Sequence, residues 1–317
     1  MRRFVAALVV GLIVATGAQA QDYPNRPVRL IVPFAPGGPS DISARLLANG
    51  LQENFGRVVV ENRPGAGASA GAQALIGAPP DGYTIMMASN VIASGKWLYA
   101  SLPYDSLTDF RAVAGVSRSP IVMLVPGTSP ARSVADFIRL AKEKPGGMNY
   151  ASAGTGTIPQ LATEFFLQKT GLKMTHIPYR GSGLALPALR SGEVDVYFDI
   201  ALSAQSGAGE GLRVLGVIGP TRLEQLPNVP TLGEQGIDGV DVASWFGIVT
   251  RPGVPDAVVN QLNAAINKVQ ATEQFKEKIG TLGGVPLTGS PEDFRRLYTE
   301  ELAMWGRVIP ALGMKLD

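Results

Sequence analysis

The chain has 317 residues, no cysteine and one histidine, and its 28 Lys and Arg residues nearly balance 26 Asp and Glu residues. The lack of cysteine excludes disulfides and thiolate catalysis, and a single histidine leaves no ordinary zinc site. A weak net charge without basic runs argues against nucleic acid as a partner. We therefore expect a protein stabilised by packed cores, with no metal and no cofactor.

Residues 1–20 have the order of a secretory signal peptide. Arg2 and Arg3 precede an apolar run, and Ala-Gln-Ala at 18–20 supplies the small-residue cleavage site. The apolar run is shorter than the roughly 18 residues of a membrane span, which disfavours an anchor. We predict export to the periplasm with cleavage after Ala20. Without Arg2 and Arg3 the mature chain has 26 basic and 26 acidic residues and is neutral.

Strand-like and helix-like runs then alternate, which is typical of α/β layers. The first half predicts strands in VRLIVPF, VVVEN, YTIMMAS, AVAGV and IVMLVP. The second half predicts strands in MNYASAG, KMTHIPY, VDVYFDI, LRVLGVIG and SWFGIVTRP, separated by helices such as IPQLATEFFLQKTG and LALPALRSG. Two amphipathic helices follow near the C-terminus.

Two helices have clear start signals. The run SVADFIRLAKEK predicts a helix with Ser133 as its N-cap. Asp136 follows three residues later, which is the spacing of a capping box. Ser290 is the predicted N-cap of the last helix, with Pro291 at its first position and Asp293 at its third.

No tandem linker divides the chain. Two runs of similar α/β content are joined instead by extended stretches near 113–125 and 212–218. This pattern is compatible with two lobes connected by two crossing strands. We predict one lobe from residues 21–118 plus 218–317, and a second lobe from residues 119–217.

Four loops rich in Gly, Ser, Thr and Asn follow predicted strands and open onto helices, at 35–41, 88–95, 151–160 and 179–183. In open α/β sheets ligands bind beyond the carboxyl ends of the strands. Helix starts there have unpaired N–H groups and partial positive charge. Each loop alone is explained as well by a simple turn. Their recurrence in both halves favours a cradle for an anion.

Three charged residues, Asp41, Asp199 and Arg180, stand beside these loops. Asp41 either caps the following helix or holds a ligand or water. Asp199 ends an apolar strand and is expected at the carboxyl edge of the sheet. Arg180 pairs with a ligand carboxylate or forms a solvent-facing salt bridge. Trp245 and Phe246 begin a strand and are interpreted as core residues.

One motif suggests an enzyme. Residues 67–71 match G-x-S-x-G around Ser69, and Asp81 and His176 follow in hydrolase order. A nucleophile elbow requires the strand to run directly into the serine, whereas Glu-Asn-Arg-Pro-Gly intervenes here. His176, on a strand beside a proline, is interpreted as structural. The same segment resembles a dinucleotide glycine loop with the wrong spacing. We expect no enzyme, and a secreted hydrolase using Ser69 and His176 is the alternative.

The order of motifs resembles that of the Bug family, the periplasmic substrate-binding components of tripartite tricarboxylate transporters. The resemblance runs through YPNRPVRLIVPFAPGGPSDISARLLA, VVVENRPGAGASAGA, PPDGYTIMMAS, NYASAGTGT, HIPYRGSGLALPALRSGEVDVYFD and WFGIVTRPGVP. It implies a two-lobed α/β binding protein, a Venus flytrap of type II, with a mixed and mostly parallel sheet flanked by helices in each lobe. It also implies a monomer that delivers a small carboxylate to separate membrane permease subunits. A periplasmic sensor component is an alternative role.

The resemblance also implies a set of ligand-binding positions. Two departures leave the ligand class open, because Thr155 stands where many relatives have Asn and Leu161 where a histidine is frequent. The implied ligand-binding residues are Ala35, Gly37, Gly38, Ser40, Asp41, Ser89, Asn90, Ser152, Gly154, Thr155, Gly156, Thr157 and Asp199.

Overall fold

A computed structural model describes residues 23–201, 204, 211–238, 242–281 and 283–314. The predicted signal peptide lies outside these ranges. The strands are β1 (Val28–Val32), β2 (Val58–Asn62), β3 (Thr84–Ser89), β4 (Arg111–Pro126), β5 (Asn149–Ser152), β6 (Thr175–Pro178), β7 (Val196–Ile200), β8 (Leu212–Ile218), β9 (Ala243–Thr250) and β10 (Val285–Pro286). The helices are α1 (Pro39–Asn54), α2 (Ser69–Ile76), α3 (Asn90–Leu98), α4 (Val134–Glu143), α5 (Ile158–Thr170), α6 (Ser182–Ser191), α7 (Asp256–Ala271), α8 (Glu273–Thr281) and α9 (Pro291–Ala311).

The strands form a mixed sheet in the order β2-β1-β3-β9-β4-β7-β5-β6, with β8 and β10 also paired to β4. β2, β1 and β3 are parallel to one another, as are β7, β5 and β6. The central strands β4 and β9 pair antiparallel with their neighbours. The result is a two-lobed α/β protein in which helices flank both parallel groups: lobe 1 contains β2, β1 and β3, and lobe 2 contains β7, β5 and β6.

β4 is one strand of 16 residues where the sequence predicted two. Its first part, Arg111–Pro120, pairs with β9, and its second part pairs with β7 and β8. Of the polar residues that separated the two predicted strands, Ser117 and Ser119 are buried within the sheet and Arg118 is exposed, and the Ser117 hydroxyl lies 3.2 Å from that of Ser43. The strand therefore passes from one lobe to the other. The hinges near 113–125 and 212–218 stay a prediction.

The apolar side chains form one continuous core that includes residues of both lobes, and a second core behind the sheet of lobe 2. In the continuous core Phe166 contacts Phe137 and Phe198, with ring centroids 6.5 and 5.2 Å apart. Each such buried ring contributes roughly 1.5–3 kcal/mol of apolar burial. Within the described ranges, every helix is too short or too polar to cross a membrane.

Both predicted helix caps are confirmed. Ser133 accepts a hydrogen bond from the Asp136 N–H, and Ser290 forms a complete capping box with Asp293. The region 88–95, predicted as a loop, is largely helical because α3 begins at Asn90. Helices α2 and α8 and the short strand β10 were not predicted from the sequence.

Candidate ligand-binding crevice

The N-termini of four helices meet between the lobes. α1 and α3 come from lobe 1, and α5 and α6 come from lobe 2. Their first residues surround an inner chamber of about 50 Å³. The chamber is lined by Phe34, Ala35, Gly38, Pro39, Ser40, Ser89, Asn90, Val91, Ala153, Thr157, Ile158, Pro159, Gly181, Ser182, Ile200, Ser244 and Phe246. Because each helix start carries partial positive charge, the chamber favours an anion.

These four helices have no side-chain cap, in contrast to α4 and α9. Their N-cap residues are Gly38, Ser89, Thr157 and Gly181, and the structure gives none of them a side-chain hydrogen bond to its helix. A helix leaves its first four N–H groups without partners inside the helix, and a cap satisfies one of them. The N–H groups in the first turns of these four helices therefore remain available to a ligand in the crevice, whereas in α4 and α9 one such group is bonded to the cap.

Two buried hydroxyls in the chamber wall have no hydrogen-bond partner among the described residues. They are the hydroxyls of Ser40 and Ser89, and these residues are 2% and 5% exposed. An unsatisfied buried polar group costs about 1–3 kcal/mol. Both groups line the inner chamber. They are therefore donors that a bound ligand or water would satisfy.

The lobe 1 loop before α1 is held by Asp41. Its carboxylate accepts hydrogen bonds from Gly37 N–H at 3.0 Å, from Asn62 Nδ2 at 2.9 Å and from Arg45 Nε at 2.8 Å. Burial by itself raises the pKa of Asp41, but the hydrogen bonds from Arg45, Gly37 and Asn62 outweigh burial and lower the pKa. Asn62 Nδ2 also donates to the Phe34 carbonyl at 3.0 Å. Asp41 thus shapes the loop that presents Ser40.

The lobe 2 loop before α5 is held by neutral side chains. Gly156 N–H donates to Gln160 Oε1 at 2.7 Å, and Thr157 Oγ1 donates to the Gly154 carbonyl at 2.6 Å. Behind the loop, His176 Nε2 lies 2.7 Å from Ser152 Oγ, and His176 Nδ1 lies 3.2 Å from Gln160 Nε2. Burial lowers the pKa of His176 to about 4, so this network contains a neutral imidazole.

Two contacts from lobe 1 reach the lobe 2 loop. Tyr99 OH donates to the Thr155 carbonyl at 3.1 Å, and Ser94 Oγ donates to the Gly156 carbonyl at 3.3 Å. Gly156 has φ +79°, and a Cβ there would lie 3.0 Å from the Leu98 side chain. A side chain at Gly156 would therefore be strained and would push α3 away from this loop.

The side-chain amide of Asn90 forms its hydrogen bonds within lobe 1. Nδ2 donates to the Ala243 carbonyl at 3.2 Å and to Glu301 Oε2 at 3.1 Å, and Oδ1 accepts from Trp245 N–H at 3.0 Å. Burial raises the pKa of Glu301, partly offset by the hydrogen bonds from Asn90 and Trp305. The side chain of Asn90 consequently anchors α3 to β9 and α9, and its helix start faces the chamber.

Asp199 is fully buried behind the chamber wall. Its Oδ1 accepts from Ser182 Oγ and from Ile200 N–H, each at 2.8 Å. Ser182 is the first residue of α6 and lines the chamber. Asp199 thus orients a chamber residue.

A larger vestibule of about 490 Å³ adjoins the inner chamber. It contains the lobe 2 loop residues Gly154 and Thr155 and the exposed side chain of Arg180. Among the described residues that line the two cavities, Arg180 is the one with a formal charge. The residues that line both cavities are Phe34, Ala35, Val91, Ala153, Thr157 and Gly181.

The predicted binding positions divide into two groups. Most line at least one of the two cavities: Ala35, Gly38, Ser40, Ser89, Asn90, Gly154, Thr155 and Thr157. The others stand in the supporting layer described above: Gly37, Asp41, Ser152, Gly156 and Asp199. Ligand contact by each of these residues stays a prediction.

Sequence reasoning missed several chamber residues. Phe246, interpreted as core, lines the chamber, whereas Trp245 is 1% exposed and packs edge-on against Phe294 and Tyr298. Ile158 and Ser182 are the first residues of α5 and α6 and were not singled out. Their position just after a glycine-rich loop was the available signal, because the first turn of a helix borders the same crevice as the loop.

The geometry gives no support to the hydrolase alternative. His176 stacks on Tyr150 with ring centroids 4.8 Å apart, and its two ring nitrogens contact Ser152 and Gln160. Both nitrogens are thus engaged within lobe 2. Ser69 is the first residue of α2, which packs against lobe 1 strands. The single histidine is therefore structural.

Two lobes with a crevice of helix N-termini between them define the class of periplasmic solute-binding proteins. Residues 43–314 match the family model TctC, described as tripartite tricarboxylate transporter family receptor. Protein BugT of Bordetella pertussis is 33% identical, with the alignment covering 100% of this chain and 99% of BugT. The chain therefore belongs to the TctC family of solute-binding proteins, which includes the Bug proteins, and it is not an enzyme.

Two solved structures share the fold closely. R. palustris Rpa4515 with adipate superimposes with a TM-score of 0.89 at 34% identity, covering 93% of this chain and 100% of that one. MatC (Rpa3494) from Rhodopseudomonas palustris with bound malate gives a TM-score of 0.85 at 28% identity, covering 90% and 100%. Both neighbours were therefore solved with small dicarboxylates.

Proposed function

We propose that this protein captures a small organic carboxylate between its lobes and delivers it to the membrane permease subunits of a tripartite transporter. The observation that carries the proposal is the pair of buried hydroxyls of Ser40 and Ser89, which have no hydrogen-bond partner in the described part of the chain and lie where four uncapped helices meet. Related proteins solved with adipate and malate support a carboxylate as the ligand. We further propose that the chain acts as a monomer in the periplasm after cleavage following Ala20.

The energetics of such a site suit a small anion. A hydrogen bond to a charged group contributes about 1.5–3 kcal/mol, and a helix start adds about 0.3–1 kcal/mol. Several such donors around one carboxylate are enough for micromolar affinity, about 8 kcal/mol, after the cost of association. Because the donors come from both lobes, the ligand binds the closed arrangement better and shifts the protein toward it.

Calorimetric titration of the purified protein with mono-, di- and tricarboxylates tests the binding step. We expect at least one carboxylate to bind, and Ser40→Ala combined with Ser89→Ala to weaken it by about ten- to a hundred-fold, since two charge-assisted bonds are lost. Ser101→Ala, an exposed serine of the same lobe, is the matched control. Binding of the corresponding amides in place of the acids would overturn the proposal.

Uptake measurements test the delivery step. A strain that lacks this gene is expected to lose uptake of the bound carboxylate. Normal uptake with loss of only ligand-dependent gene induction would favour the sensor role.

A further inference from the structure

A chain of hydrogen bonds behind the lobe 2 loop connects that loop to the single histidine. Gly156 N–H donates to Gln160 Oε1 at 2.7 Å, and Nε2 of the same amide lies 3.2 Å from His176 Nδ1. On the other side of the ring, His176 Nε2 lies 2.7 Å from Ser152 Oγ, which lies 3.1 Å from the Gly154 carbonyl oxygen. Both ends of the chain of hydrogen bonds therefore reach backbone groups of the loop.

The direction of each hydrogen bond follows from the backbone group at one end. The Gly156 N–H can only donate, so Gln160 must turn Oε1 toward it and Nε2 toward the ring. An amide NH2 group also only donates, so His176 Nδ1 must present a lone pair. The neutral imidazole then has its proton on Nε2 and donates it to Ser152 Oγ, whose own proton goes to the Gly154 carbonyl. Each donor in the chain of hydrogen bonds thus meets an acceptor.

A second proton on the ring is incompatible with this arrangement. It would place a hydrogen on His176 Nδ1 facing the Gln160 NH2 group, so that two donors would meet. Turning the Gln160 amide over would satisfy the ring but would point the NH2 group at the Gly156 N–H. Gln160 is 5% exposed, so the mismatch would be buried, where an unpaired donor is costly. Protonation of the ring therefore disrupts the loop in either orientation of the amide.

The elements packed against the imidazole ring are β5 and α5. Tyr150 of β5 stacks on the ring, and burial raises the pKa of Tyr150 well above its usual range, so this side chain stays neutral. The Tyr150 hydroxyl donates to the carboxylate of Glu164 on α5. Burial lowers the pKa of His176 to about 4, in agreement with a neutral ring at neutral pH. The titratable residues on these elements and beside β6 are Tyr150, Glu164, Lys169, Lys173, Tyr179 and Arg180.

From this geometry we infer that His176 and Gln160 are positioning residues, which hold the lobe 2 loop ready for binding only while the imidazole is neutral with its proton on Nε2. A proton on Nδ1 breaks the bond between Gln160 and Gly156 and releases the loop. The Gly156 carbonyl accepts from Ser94 Oγ of lobe 1 at 3.3 Å, so the release also reaches a contact between the lobes. The inference rests on the proposed carboxylate function and adds a proton-dependent control of that site.

Nuclear magnetic resonance of the untagged, unliganded protein with isotope-labelled histidine tests the direction of the hydrogen bonds. The sequence has one histidine, so one pair of ring nitrogens is observed. At pH 7 we expect a single tautomer, with the proton on Nε2 and none on Nδ1. The opposite tautomer, or the average of the two that a free imidazole shows, would overturn the inference. This measurement requires neither a variant nor a ligand.

Gln160→Glu reverses the preference of the pair. The carboxylate still accepts from Gly156 N–H, but it also accepts from a protonated Nδ1 and therefore favours the imidazolium. We expect the pKa of His176 to rise from about 4 to above about 6.5. Calorimetric titration with malate and with adipate should show affinity rising at least about five-fold from pH 8 to pH 6, because the binding-competent fraction grows as the ring gains its proton. The wild type should change by less than about two-fold over the same range.

Gln168→Glu is the matched control, because Gln168 is exposed on the same helix and lines neither cavity. It adds the same charge and should keep the wild-type pH profile. Gln160→Glu combined with His176→Gln should lose the pH response, since the titrating ring is gone. A Gln160→Glu variant that keeps the wild-type pH profile, or in which the pKa of His176 does not rise, would overturn the inference. Failure of the proposed function is distinct: no carboxylate then binds at any pH, while the tautomer and the pKa of His176 remain as stated.

Discussion

The two loops that border the inner chamber are held in different ways. The lobe 1 loop is organised around the ionised carboxylate of Asp41, whose partners Gly37, Arg45 and Asn62 all belong to the same lobe. The lobe 2 loop is organised by neutral groups and receives two of its hydrogen bonds from the other lobe. The first loop is therefore fully formed within its own lobe, whereas the second is completed only when the lobes meet.

This difference assigns the two loops different tasks. A loop held by its own lobe presents donors of fixed geometry, which lowers the cost of binding. A loop whose hydrogen bonds cross the crevice couples ligand binding to closure, because those bonds join the two lobes and favour the arrangement in which they form. The predictions below alter one loop at a time.

The largest effect is expected from Asp41→Asn. The substitution removes the ion pair with Arg45 and changes an acceptor of three hydrogen bonds into a group with one acceptor oxygen. We expect the free energy of unfolding to fall by about 2 kcal/mol and the affinity for the carboxylate to fall with it. Urea unfolding and calorimetric titration at pH 7 measure the two quantities.

Asp256→Asn is the control for that variant. Asp256 also pairs with an arginine, Arg111, but its side chain is 86% exposed. An exposed ion pair contributes little to stability. Equal losses in the two variants would contradict the special role of Asp41 in the lobe 1 loop.

A smaller effect, confined to mild acid, is expected from His176. Its pKa is lowered from about 6.5 to about 4 by burial, so the folded protein favours the neutral imidazole. The stability that this provides is complete above pH 6.5 and is lost as the pH falls from about 6.5 to about 4. Asp41 has a lowered pKa, so its contribution is complete above the unfolded pKa near 3.9 and is lost only below it. Mild acid should loosen the lobe 2 loop first.

Urea unfolding of the unliganded protein between pH 7.5 and pH 4.5 measures this dependence, and His176→Gln should flatten it. No other histidine contributes, because the chain has one. Glu301 is the carboxyl group to control for, since burial raises its pKa, and Glu301→Gln separates its part. An unchanged pH profile in His176→Gln would exclude the imidazole as its source.

Much of the fold was predictable from local sequence pattern. Which residues of the site line the cavities and which support them from behind was not predictable. The caps at Ser133 and Ser290 were readable because both partners lie three residues apart. The engagement of Asn90 with Glu301 was not readable, since 211 residues separate them in sequence. Equally, the sequence pattern predicted Asp199 at the edge of the sheet but could not reveal that its carboxylate accepts a hydrogen bond from Ser182. Glycine-rich loops signal where a ligand binds, whereas the layer behind them depends on tertiary contacts.

The smallest effect is expected from Tyr99→Phe, which removes only the hydroxyl that donates to the Thr155 carbonyl across the crevice. One neutral hydrogen bond contributes about 1 kcal/mol, so ligand affinity should fall by about five-fold in calorimetric titration. The loss should appear in affinity more than in the stability of lobe 1, because the bond joins the lobes. Tyr83→Phe, whose hydroxyl donates to Asn25 at 2.8 Å on the surface of lobe 1, should leave affinity unchanged. If both variants bind the carboxylate as tightly as the wild type, the bond from Tyr99 does not contribute to closure, and the lobe 2 loop is as self-sufficient as the lobe 1 loop.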